Sequence, residues 1–120
     1  MDADGAFLGD AITLGLQSTS EALFRAVARL IRVELTATPS VIGRNAVESI
    51  QSGLVYGSAG RIDRLTQLLK EELGPGCKVI ATGGLAETVS RYCGSIDAID
   101  PSLTLYGLRV IYDRVRGKGR

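Results

Sequence analysis

Apolar positions recur along this chain at two spacings, and the switches between them mark out its elements. Val79-Ile80-Ala81 is a short apolar run closed by Thr82-Gly83-Gly84, after which Leu85-Ala86-Glu87 opens a polar-spaced, helix-like stretch. Such a run predicts a buried parallel strand that delivers its backbone to a tight turn. Two adjacent glycines without Cβ atoms let a main chain approach a phosphate, a ribose or the edge of a base; the same pattern also builds an ordinary strand-to-helix connection.

Upstream, Ile12, Leu14 and Leu16 alternate with small or polar neighbours, predicting two short strands within Gly5–Leu16 joined by a turn near Gly9-Asp10. Ser18 and Glu21 have capping-box spacing. Ala22, Leu23, Ala26, Val27, Leu30 and Ile31 then follow at helical spacing, with Arg25, Arg29 and Arg32 on the wet face. Val33-Glu34-Leu35 reads as an extended link and Thr36–Ser40 as a polar loop stiffened by Pro39. Asn45 and Glu48 repeat the capping signature, and Val47, Ile50, Leu54, Ile62, Leu65, Leu69 and Leu73 keep a helical register up to Gly74-Pro75-Gly76. Gly53, Gly57 and Gly60 interrupt that run, each costing about 1 kcal/mol relative to alanine. They predict a break near Ser58, preceded by a small-residue face for close packing of another helix. A short helix over Glu87–Cys93, an extended segment at Ile96–Ile99, and a last helix opened by Asp100 at N-cap and Pro101 at N1 complete the pattern. Leu103, Leu108, Ile111, Tyr112 and Val115 give the last helix its apolar side, and the basic tail Arg114–Arg120 reads as a solvated end.

A length of 120 residues bounds this to one domain, and 45% hydrophobic but only 5% aromatic residues indicate an aliphatic α/β or α core. The 14 basic and 13 acidic residues nearly cancel, so no bulk field draws the chain to nucleic acid or membrane. With no histidine, imidazole metal sites and Ser-His-Asp chemistry are excluded. Cys77 and Cys93 fit no zinc or CxxC spacing and read as reduced core residues of a cytosolic protein. The first residues lack a signal-peptide pattern, and no apolar run reaches membrane-spanning length. Asp10, Asp63, Asp97 and Asp100 each fall where a turn, helix, strand or cap explains a carboxylate, so spacing supports no catalytic centre within the chain.

Four ordered segments add a resemblance. Gly5-Ala6-Phe7-Leu8-Gly9-Asp10-Ala11-Ile12, Val41-Ile42-Gly43-Arg44-Asn45 with Gln51-Ser52-Gly53-Leu54-Val55-Tyr56-Gly57, Ala81-Thr82-Gly83-Gly84-Leu85, and Asp100-Pro101-x-Leu103-Thr104-Leu105-x-Gly107-Leu108 closely resemble the C-terminal half of type III pantothenate kinases. The resemblance spans nearly the whole chain. It implies an α/β, ribonuclease-H-like lobe of the actin/hexokinase-type ATPase fold shared with acetate kinases, sugar kinases and Hsc70. Residues 1–120 would form that single C-terminal lobe. It further implies cytoplasmic dimers that phosphorylate pantothenate with ATP, Mg²⁺ and a monovalent cation (K⁺ or NH₄⁺) as the first step of coenzyme A biosynthesis; some members are described as accessory transcriptional activators.

By the same resemblance, Thr82, Gly83 and Gly84 would face the nucleotide, and Gly43, Arg44, Asn45 and Ala46 the pantothenate, close to a subunit interface. The family's DxGNT phosphate loop, its GxDR segment with the catalytic aspartate, and the aspartate of the monovalent-cation site would lie before Met1, so no catalytic residue or metal ligand falls on this chain and activity alone is not expected. Asp10 and Leu14 replace a family glycine and proline, and Ala46 replaces a pantothenate-contacting threonine. A missing hydroxyl removes a hydrogen bond worth about 0.5–1.5 kcal/mol. The alternative is a non-catalytic or degenerate subunit that pairs with a separate N-terminal lobe.

Overall fold

The computed structural model describes residues 1–2, 4–27 and 31–117. Its backbone is organised by one helix, α2 (Ala46–Leu73), which follows the shorter α1 (Leu16–Ala26). Asn45 starts α2 as expected: its Oδ1 accepts the Glu48 N–H at 2.9 Å, while the Glu48 carboxylate accepts the Arg44 N–H at 2.8 Å. Gly74 ends it at φ +99°, a left-handed conformation that glycine adopts freely, donating its N–H to the Lys70 carbonyl at 2.9 Å.

The expected break near Ser58 is absent, and α2 runs unbroken for 28 residues. Leu54, Val55, Ser58 and Ala59 are all buried, Val55 to 0% exposure, so tertiary packing on both sides of the glycines offsets their helix cost. Gly53, Gly57 and Gly60 lie on the exposed side, where a Cβ would meet no other atom within 4 Å. Among the described residues nothing packs on that small-residue face.

The two strands expected near the N-terminus do not form. Residues 5–15 are irregular, Ile12 is 90% exposed, and among the described residues no partner strand meets them. Gly15, not Ser18, is the N-cap of α1; Ser18 sits inside the helix, and the Thr19 hydroxyl donates to the Gly15 carbonyl at 2.8 Å. Burial of Leu16 against Leu54 and Val89 fixes this earlier start. Leu30 of the expected stripe and Arg29 of the wet face lie outside the described residues, as does the end of the basic tail.

After α2 come β1 (Ile80–Ala81), α3 (Ala86–Ser90), β2 (Ala98–Ile99) and α4 (Leu103–Gly117). β1 and β2 pair in parallel, Ile80 opposite Ala98 and Ala81 opposite Ile99, with α3 as the crossover. The chain is therefore α/β, but its strand is not the buried one expected: Ile80 is 52% exposed, because two paired residues per strand leave both sheet edges open. Asp100 caps the lead-in to α4, accepting the Ser102 N–H at 2.9 Å, and the helix begins two residues after Pro101. None of α4 is buried; Leu105 is 70% exposed. The radius of gyration, 17.9 Å, exceeds the roughly 14 Å of a close-packed chain this long.

Candidate ligand-binding site

The turn after β1 borders a hollow of about 550 Å³, within the range of small-molecule sites. Thr82 and Gly84 are exposed, and Gly83 turns the chain at φ +101°. The Gly83 carbonyl accepts the Ala86 N–H at 3.0 Å, which closes the turn into α3. Leu16, Ile62, Val89 and Ile96 supply aliphatic wall, and Gly15 and Gln17 bring in the start of α1. Sequence reading placed Thr82, Gly83 and Gly84 here but missed α1. The signal was Gly15 directly before Leu16, which the expected strand had absorbed.

Gly43, Arg44, Asn45 and Ala46 lie at the start of α2, and of the four only Arg44 lines a hollow there. Ile42, Arg44 and Glu48 border a separate hollow of about 220 Å³ with Thr38, Pro39 and Ser40. The two hollows share no lining residue. The segment leading into the smaller one is anchored to α2: the Ser52 hydroxyl donates to the Val41 carbonyl, the Tyr56 hydroxyl to the Thr38 carbonyl at 2.6 Å, and Gln51 Nε2 to the Glu34 carbonyl at 3.1 Å. These three side chains belong to the Gln51–Gly57 segment, so part of that motif's chemistry is loop anchoring. A Cβ on Gly43 would overlap the Ser49 backbone and stand 2.7 Å from the Glu48 carbonyl carbon. Gly43→Ala should therefore push the loop off the start of α2 and destabilise the protein by about 1–3 kcal/mol, read in a denaturant melt.

Asp63, Asp97 and Asp100 are taken up by the fold. Asp63 on α2 accepts the Gly94 and Ser95 N–H groups at 3.1 and 3.0 Å, tying the end of the α3 region to the long helix. The adjacent Ser95 hydroxyl, though short of a formed hydrogen bond, is the main influence holding this carboxyl below its ordinary value, with the two amides adding to it. Asp97 is lowered chiefly by the Val79 N–H at 2.7 Å, then by Lys70 and Lys78, each 3.7 Å away. Asp100 is lowered by the Ser102 hydroxyl and N–H. In the other direction, burial and the Asp63 charge raise the Cys93 thiol.

A lowered folded-state pKa contributes stability that is fully present above the ordinary carboxylate value of 3.8 and is lost as pH falls through the lower folded values. Melting temperature should accordingly fall as pH drops below about 4, and Asp97→Asn should flatten part of that decline. Melts recorded from pH 7 to pH 2 measure it. Among the described residues no three metal-ligating side chains converge, and no helix is long and apolar enough to cross a membrane.

Comparison with known sequences decides the family. The sequence model described as type III pantothenate kinase matches residues 1–68, more than half of the chain. The chain belongs to the type III pantothenate kinase family. A type III pantothenate kinase of Roseiflexus sp. (strain RS-1) is 46% identical over 114 residues, covering 95% of this chain and 45% of that protein. Type III pantothenate kinase 2 of Symbiobacterium thermophilum is 43% identical, covering 100% of this chain and 47% of its own length. The Salinispora arenicola kinase is 47% identical over 110 residues, covering 92% and 44%. The chain thus spans less than half the length of these relatives and corresponds to their C-terminal part.

Proposed function

We propose that residues 1–120 form the C-terminal, ribonuclease-H-like lobe of a two-lobed kinase that transfers a phosphoryl group from ATP to pantothenate, the first step of coenzyme A biosynthesis. The observation that carries this is the hollow beneath Thr82, Gly83 and Gly84, in a chain of this family. Its volume and aliphatic walls suit an adenosine, with the glycine turn against the sugar. Gly43, Arg44, Asn45 and Ala46 form the pantothenate side, where Arg44 offers the one positive side chain of the smaller hollow to the substrate's carboxylate.

Phosphoryl transfer rests on positioning and on charge stabilisation around the phosphates. This chain supplies positioning: walls for the base, a backbone turn, and a segment for the acceptor. Its described side chains offer no converging donor set for Mg²⁺ or for the monovalent cation the family implies, so no step runs through a metal held here. The phosphate loop and the base belong to an N-terminal lobe, and a homodimer or a paired lobe would complete the protein.

A second reading, a degenerate subunit of the same fold, is favoured by Ala46, which has no hydroxyl to offer pantothenate. Mixing the chain with the N-terminal half of the Roseiflexus kinase separates the two. Restored ADP release that requires both ATP and pantothenate supports the kinase lobe; a stable complex without turnover overturns it in favour of the degenerate subunit.

A further inference from the structure

We infer that Gln17 reads the nucleobase in the larger hollow and selects adenine over guanine, an inference that rests on the nucleotide reading of that hollow. Leu16, Ile62, Leu85, Val89 and Ile96 can cover the flat faces of a purine, but aliphatic contact discriminates poorly between bases of nearly equal size. Only two of the lining residues carry polar side chains, Thr82 and Gln17. A hydroxyl rotates to donate or accept and so suits either base. A carboxamide presents a donor and an acceptor side by side, the pattern that matches the amino group and N7 of adenine. Guanine places two acceptors on that edge, and the amide oxygen would face one of them.

Gln17 is also placed to do this. It follows Leu16, whose burial in the core fixes the first turn of α1, and the segment before it is held by Arg61, whose Nη2 donates to the Leu14 carbonyl at 2.7 Å. Gln51 and Gln67 direct their amides to Glu34, Thr36 and Glu71. The Gln17 amide has no such partner among the described residues, and the residue is exposed at the rim of the hollow.

Titrating the full chain and its Gln17→Leu and Gln17→Glu variants with ADP and with GDP, while following the amide resonances of Thr82, Gly83 and Gly84, tests this. The unaltered protein should prefer ADP by roughly tenfold. Gln17→Leu should bring the two nucleotides near parity by weakening ADP. Gln17→Glu should reverse the preference, since a carboxylate accepts from guanine N1–H and its amino group but cannot donate to adenine N7. Variants that retain the original selectivity while those amides still respond would remove Gln17 as the reader and leave the nucleotide site standing. Amides that respond to neither nucleotide overturn both. Circular dichroism should be unchanged by either substitution at this exposed position.

Discussion

Replacing Gly84 with valine should lower ADP affinity at least tenfold while leaving helical content and melting temperature unchanged. A tenfold change corresponds to about 1.4 kcal/mol, modest for a branched side chain placed in a ligand's volume. The prediction separates ligand space from protein space. Gly84 has no positive φ, and a Cβ there would meet no atom within 4 Å, so the fold accepts a side chain. The nucleotide would not. Gly83 behaves differently: at φ +101° any other residue strains the turn, and loss of binding there would confound folding with recognition. Calorimetric titration of Gly84→Val is thus the cleaner measurement, and an affinity equal to that of the unaltered protein would remove this turn from the site.

Leu54→Ala should cost about 2–5 kcal/mol, the largest loss expected from one substitution outside the site. Leu54 is 4% exposed and meets Leu16 and Val89, so it joins α2 to α1 and to α3 in one contact set. Among the described residues the buried apolar side chains are only Leu16, Leu54, Val55, Ala59 and Val89. Native stabilities are of order 5–15 kcal/mol, so the lost leucine would be a large share of the whole. Leu108→Ala on α4, starting from 58% exposure, should cost less than about 0.5 kcal/mol. Thermal melts of the two variants make the comparison, and equal losses would mean that α4 is covered in solution.

The contrast between these positions explains what the sequence could convey. Most caps and stops were legible because they are local: Asn45 with Glu48, Gly74 and the Asp100 turn each satisfy backbone groups within a few residues, whereas the Ser18 cap lost to an earlier start at Gly15 set by the burial of Leu16. The strand–turn–helix at Val79–Ser90 was legible for the same reason. Faces were not. The buried side of α2 includes Ser52, Ser58, Ala59 and Thr66, while Leu69 and Leu73 are exposed, so a count of apolar residues traced the wrong stripe through part of the helix. The alternation of Ile12 and Leu14 promised a strand, but a strand requires a partner that no local pattern supplies. Of the two candidate sites, the glycine turn was visible in the sequence. The approach of α1 to it, across more than 60 residues of chain, was not.

The unbroken course of α2 gives the protein a ruler. Glu48, in the wall of the smaller hollow, and Ile62, in the wall of the larger one, stand on the same rigid rod. At 1.5 Å per residue they are about 21 Å apart along its axis. A single residue inserted between them would turn one site by about 100° relative to the other and lengthen the gap by 1.5 Å, with no loop in between to absorb the change. Register along this helix, more than the identity of any residue on its outer face, sets how two ligands could be brought to meet.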